Sequence, residues 1–288
     1  MLLPTIQSEK EMIGLLELDV APFLAKKLGL DITMPDNVEI IQSFLDLMGQ
    51  VGSQHLTGLV IDPIYSFSAS RYSQNNGCIT RLNTLTEEVD PLTPPQLIPD
   101  YGLEEISNNY SLAKFELMYH PQEESSLKKK QLLAEIYDYC DYLDMHLLLK
   151  LELYNREGGN YLTETFADDQ LVAVQELSKM TDVIALQNPV DPLSAATLTA
   201  ELDIPWILIN DRQNYDDFKQ QLRVCLENGA SGFVVGPALW EDLGSLKQVE
   251  KGLDVDAITN FIQTTFKDRV IELMRIANEA GKNSSSLG

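Results

Sequence analysis

Eight short apolar runs, each about the length of a β-strand, recur along the 288-residue chain, and helix-like segments lie between most of them. The runs fall at residues 13–18, 57–61, 78–82, 112–118, 146–154, 182–187, 206–209 and 232–235. Between them the apolar period changes to that of a helix. Residues 127–143 carry Leu132, Leu133, Ile136, Tyr137 and Cys140 on one stripe. Residues 167–180 carry Leu171, Val174, Leu177 and Met180, with Asp168 and Asp169 near the start, where a helix favours acidic groups. Residues 215–228 carry Phe218, Leu222, Cys225 and Leu226, and Gly229 is placed to cap that helix. Residues 255–280 carry Ile258, Phe261, Ile262, Phe266, Val270, Ile271 and Met274.

Strand–helix alternation over the whole chain implies a parallel sheet. Eight such units closing on themselves make a (β/α)8 TIM barrel. The expectation is one α/β barrel domain spanning residues 1–288, with a frayed tail at 281–288. Residues 90–101 are rich in proline (Pro91, Pro94, Pro95, Pro99). They sit inside the alternation and read as a long loop rather than a domain boundary. The terminal helix face of Phe261, Phe266 and Val270 is expected to pack either on its own barrel or on a second subunit of a homo-oligomer.

Charge narrows the partners. Forty-four acidic residues against 21 basic ones give a formal net charge of -23. That field repels nucleic acid and anionic lipid, so neither a nucleic-acid nor a membrane partner is expected. It helps an anionic ligand only where positive charge is gathered locally. Cys78, Cys140 and Cys225 are far apart and lack metal-ligand spacing. No secretory leader is visible, which reads as a reducing, cytoplasmic setting. No metal or other cofactor is expected.

Two strands carry charge where a barrel has its interior. In residues 112–117, Lys114 and Glu116 share one face, and Ala113, Phe115 and Leu117 share the other. In residues 148–154, Leu149, Leu151 and Leu153 suit the helix layer, so Lys150, Glu152 and Tyr154 point inward. Burying four charges costs several kcal/mol per ion unless they pair. The signs balance, so one reading is a neutralised ion-pair cluster filling the barrel. The other is an active-site lysine, Lys150 or Lys114, with Glu152 and Glu116 as acid/base partners. Polar residues also fall at strand C-terminal ends, where barrels build their sites. Asp19, Asp62, Tyr154, Gln187, Asn210 and Arg212 are the candidates for contacting a substrate. His120 is read as a structural loop histidine.

Seven strings, taken in order, resemble the class I tagatose-1,6-bisphosphate aldolases and their sulfosugar-phosphate relatives. They are MIGLLELDVAPFLAKKLGL, LTGLVIDPIYS, SLAKFELMYHP, HLLLKLELYN, DVIALQNPV, DIPWILIND and ENGASGFVVGPALWED. The resemblance covers roughly residues 12 to 243 and implies a sugar or sugar phosphate as ligand. It also implies losses. The family's Schiff-base lysine on the sixth strand corresponds to Ala185, and its glutamate to Gln187. Its first-strand Asp-Gln-Arg-Gly corresponds to Asp19, Val20, Ala21 and Pro22. Its seventh-strand Ser-Ala-Gly corresponds to Asn210, Asp211 and Arg212, and its phosphate-binding Gly-Arg to Gly236 and Pro237. Lys114, Asp62, Tyr65 and Trp240 match.

Three readings follow. The first is a non-catalytic aldolase homologue, a pseudoenzyme binding a ligand or partner. The second is an aldehyde-lyase whose imine lysine has moved to Lys150 or Lys114, with Glu152 or Tyr154 moving protons. The third is a barrel with unrelated chemistry.

Overall fold

The computed structural model describes residues 5–75, 77–84, 90–158, 162–210, 214–248 and 252–285. Eight strands hydrogen-bond in chain order into a closed barrel, as the alternation predicts. They are β1 (Ile13–Glu17), β2 (Gly58–Ile61), β3 (Gly77–Arg81), β4 (Leu112–Tyr119), β5 (Leu147–Leu153), β6 (Val183–Leu186), β7 (Trp206–Ile209) and β8 (Gly232–Val235). Adjacent strands such as β4 and β5, β5 and β6, and β6 and β7 run parallel. The molecule is a (β/α)8 barrel.

Burial explains why the strands read as they do. β1, β2, β6, β7 and β8 are buried at every residue, which demands near-continuous apolar runs. β4 and β5 alternate toward their C-terminal ends, where Glu116, Lys150 and Glu152 stand, and buried charges also end β1 (Glu17) and β3 (Arg81).

Helices fill the connections: α1 (Ala21–Leu28), α2 (Pro35–Gly52), α3 (Leu103–Asn108), α4 (Ser126–Tyr142), α5 (Phe166–Leu177), α6 (Pro192–Glu201) and α7 (Tyr215–Glu227). A short α8 (Pro237–Trp240) follows β8, then α9 (Val255–Phe261), a π-helical turn at Ile262–Phe266, and α10 (Lys267–Ser285). The helices expected from the sequence are α4, α5, α7 and the terminal helix. α1, α2 and α6 are not among them, although α1 (Ala21, Leu24, Ala25, Leu28) and α2 (Ile41, Phe44, Leu45, Met48) each bury a stripe at helical spacing. Those three carry proline in the first turn, a helix start signal. At α6, Asp191 also caps, accepting from the Ser194 N–H at 2.9 Å. Gly229 ends α7 as expected, with φ +99, and Thr199 leaves no room for a Cβ.

The chain divides into two compact units. One comprises residues 1–79, 212–220 and 234–288, and the other residues 80–211 and 221–233. In the first, Phe261, Phe266 and Val270 are buried against the chain's own elements, whereas Ile271 is exposed. In the second, β4, β5, β6 and β7 share a register row. Glu116 stands opposite Lys150, Lys150 opposite Ala185, and Ala185 opposite Ile207.

Candidate functional site

Lys114, Glu116, Lys150 and Glu152 come together as the inward-facing alternation requires. Lys114 Nζ lies 2.6 Å from Glu116 Oε1. Lys150 Nζ lies 3.6 Å from the same oxygen and 3.2 Å from Glu152 Oε1. The four charges form a ladder of alternating sign across two strands. Lys114 is fully buried, the Lys150 side chain is 13% exposed and that of Glu152 is 33% exposed. The ladder therefore runs from a closed inner end to a wetter outer one.

Burial alone would push the Glu116 carboxyl up. The ammonium groups of Lys114 and Lys150 and the Arg81 guanidinium outweigh it, holding the carboxyl well below its ordinary 4.5. Arg81, the last residue of β3, is buried, and strand alternation in the sequence does not single it out.

The other predicted site residues are placed differently. Gln187 is buried, and its amide continues the sheet. Oε1 accepts from the Leu153 N–H at 2.7 Å, and Nε2 donates to the Leu153 carbonyl at 3.4 Å. Its own carbonyl accepts from Gln170 Nε2 at 3.0 Å. Asp62 closes a turn, with Oδ1 accepting from the N–H of Ile64 at 2.6 Å and of Tyr65 at 3.2 Å. Asp19 and Asn210 are buried just past β1 and β7. Arg212 and Asp211 lie outside the described residues.

Tyr154 belongs to a second cluster. Its phenol donates to Glu123 Oε2, and its ring stands edge-on to His120 at 6.0 Å. Burial, and then the Glu123 carboxylate, push that phenol up. Glu123 also holds Lys129, whose fully buried ammonium donates to Glu123 at 2.9 Å, to the Met118 carbonyl at 2.7 Å and to the Pro91 carbonyl. His120 Nδ1 accepts from the Gln122 N–H at 3.1 Å, and Nε2 lies 3.6 Å from Asp169. The imidazole is thus held by its own loop at Nδ1 and faces a carboxylate at Nε2. Among the described residues, no three His, Cys, Asp or Glu gather as a metal site. Among them, too, no helix is long and apolar enough to cross a membrane.

No family model matches the chain, and no curated protein matches it by sequence. Solved structures do. An archaeal fructose-1,6-bisphosphate aldolase, determined with its catalytic lysine covalently bound to the carbinolamine intermediate of its substrate, is 18% identical with a TM-score of 0.65. The match covers 95% of this chain and 96% of that one. The fructose-bisphosphate aldolase of Slackia heliotrinireducens is 13% identical with a TM-score of 0.61, covering 91% and 93% of the two chains. Cgl0159 of Corynebacterium glutamicum is 12% identical with a TM-score of 0.64, covering 92% and 87%. At these identities the likeness establishes an aldolase-like barrel fold.

Proposed function

We propose that this chain is an aldolase-like barrel that no longer cleaves sugar bisphosphates through a Schiff base and instead binds a ligand or partner, a sugar or sugar phosphate being the ligand class. The observation that carries this reading is the ladder itself. Each of its lysines ends against a carboxylate, at 2.6 Å for Lys114 and 3.2 Å for Lys150. Each nitrogen is held in an ion pair that attack on a carbonyl carbon would first have to break. The buried Ala185 on β6, in register with Lys150, offers only a methyl group. Gln187, which the resemblance aligns with a glutamate, is engaged with the backbone of β5.

A second reading is favoured by one observation. Lys150 is partly exposed, whereas Lys114 is not, and it stands beside Ala185. An imine formed there, with Glu152 moving protons, would make the chain a lyase acting on a carbonyl compound of lower phosphate content.

The deciding assay follows release of the three-carbon carbonyl products from fructose and tagatose as 1,6-bisphosphates, 1-phosphates and 6-phosphates, in the wild type and in Lys150→Met. The proposal expects the two proteins to match the blank. Release by the wild type that Lys150→Met abolishes would establish the second reading in its place.

A further inference from the structure

The outward face of α4 carries two tyrosines. Leu133, Ile136 and Cys140 form the buried stripe of that helix. Glu135, Asp138, Tyr139 and Tyr142 share the other side at three- and four-residue spacing, and all four are exposed. The Tyr139 and Tyr142 rings stack, with centroids 5.7 Å apart and planes 23° from parallel. Tyr139 is 40% exposed and Tyr142 78%, so both rings keep open surface despite the stack. α3 ties the pair down, because the Tyr139 phenol donates to Glu104 Oε1 at 2.7 Å. Glu105, the next residue of α3, is itself held in place, its Oε2 accepting from the Gly102 N–H at 2.8 Å.

Carboxylates rim the rings, and among the described residues no lysine, arginine or histidine pairs with Glu104, Glu105, Glu135 or Asp138. Elsewhere the chain does lay its cations on aromatic faces. Arg71 lies over Tyr72, Lys129 over Tyr154, and Lys219 and Arg269 over Tyr215. Among the described residues none lies over Tyr139 or Tyr142. An open tyrosine face attracts a cation. A pair already stacked and tied by one phenol gives up little freedom on binding. Charge then selects the occupant. A second copy in two-fold contact would set these carboxylates against their own image, with a formal charge of -23 on each chain. Nucleic acid meets the same repulsion. A basic segment is attracted, and arginine suits the face better than lysine, because its planar guanidinium can stack on a ring while pairing with a carboxylate.

We propose that the α3–α4 face centred on Tyr139 and Tyr142 is a docking surface for an arginine-bearing basic segment of another protein. Guanidinium groups stack on the open surface of the two rings and pair with the carboxylates that rim them. The rings supply the specific part of the affinity, as tyrosines commonly do at interfaces, and the rim supplies attraction and orientation. This face shares no residue with the Lys114–Glu116–Lys150–Glu152 ladder, so its failure leaves the reading of the ladder untouched.

The test titrates the full-length protein, at near-physiological salt, into two fluorescently labelled peptides of equal length, one of alternating arginine and glycine and one of alternating lysine and glycine. Tyr139→Ser/Tyr142→Ser leaves the net charge unchanged, so attraction to the acidic surface as a whole is the same in variant and wild type. The arginine peptide should bind this variant about fivefold more weakly than wild type. Wild type should prefer the arginine peptide to the lysine peptide severalfold. Glu201→Gln/Asp203→Asn removes two exposed carboxylates at the end of α6 and should change the affinity by less than about twofold. Equal binding by wild type and the tyrosine variant would overturn the proposal, as would equal binding of the two peptides. A loss in the α6 variant as large as that in the tyrosine variant would mean a diffuse attraction and overturn it too. A wild-type dimer that the tyrosine variant dissociates, seen by sedimentation, would give the face to a second copy instead. If the double variant loses thermal stability, the same titrations are read on Tyr142→Ser, which keeps the bond from Tyr139 to Glu104.

Discussion

Lys150 and Ala185 stand opposite each other in register on β5 and β6, a cationic side chain beside a buried methyl group. On the other side of Lys150, in the same row, is Glu116, 3.6 Å from its nitrogen. The row therefore answers a buried charge with charge on one side and leaves a small residue on the other.

Breaking the ladder at Glu116 should be expensive. Glu116→Gln leaves the fully buried Lys114 ammonium without its 2.6 Å carboxylate. Removing one partner of a buried pair costs roughly 3 kcal/mol or more, whereas removing both is milder. Urea denaturation should show that loss for Glu116→Gln and recover most of it in Lys114→Met/Glu116→Gln. A small change in the single variant would mean that the pair is not buried as described.

The same carboxyl sets part of the pH dependence. Because Glu116 is held below 4.5, its contribution is complete above the ordinary carboxylate range and is lost as pH falls through the lower folded value. His120 and His55 are both held below 6.5, chiefly by burial, so the folded state favours their neutral forms. Their contributions are complete above about 6.5 and decline as pH falls below it. Unfolding free energy should therefore drop in two stages on acidification. His120→Gln should shallow the first stage and leave the second in place.

Gln187 is predicted to matter for stability rather than for substrate contact. Gln187→Ala strips the buried Leu153 N–H of its acceptor, held at 2.7 Å. An orphaned buried donor costs about 2 kcal/mol. Thermal and urea unfolding of the variant should show that loss. A stability equal to wild type, with altered ligand binding, would return Gln187 to the candidate site.

At the end of α7 the backbone demands glycine. Gly229 has φ +99, and a Cβ there would lie 2.4 Å from Thr199 Cγ2. Thr199 cannot yield freely, since its Oγ1 accepts from Trp206 Nε1 at 2.9 Å and donates to the Asn228 carbonyl at 2.6 Å. Gly229→Ala should cost about 2 kcal/mol or more by chemical denaturation.

The architecture was legible because strand and helix periods leave different marks. Even the inward turn of Lys150 and Glu152 followed from Leu149, Leu151 and Leu153 occupying the other face. What stayed hidden was polar side chains serving the backbone. Nothing in the pattern around Gln187 or Asp62 tells a substrate contact from an amide that extends a sheet or a carboxylate that closes a turn. Lys129 was hidden by its neighbours Lys128 and Lys130, which read as a solvated run. Its spacing to Leu133, Ile136 and Cys140 places it on the buried stripe of α4, a signal present in the sequence. The family resemblance pointed to tagatose-bisphosphate aldolases, while the structural likeness extends to aldolase-like barrels generally.

The most direct measurement is borohydride reduction of the wild-type protein with dihydroxyacetone phosphate and with fructose 1,6-bisphosphate, followed by intact mass and peptide mapping. The account predicts an unchanged mass with both compounds. A reduced adduct mapped to Lys150 or Lys114 would contradict it and make this barrel a working imine-forming lyase.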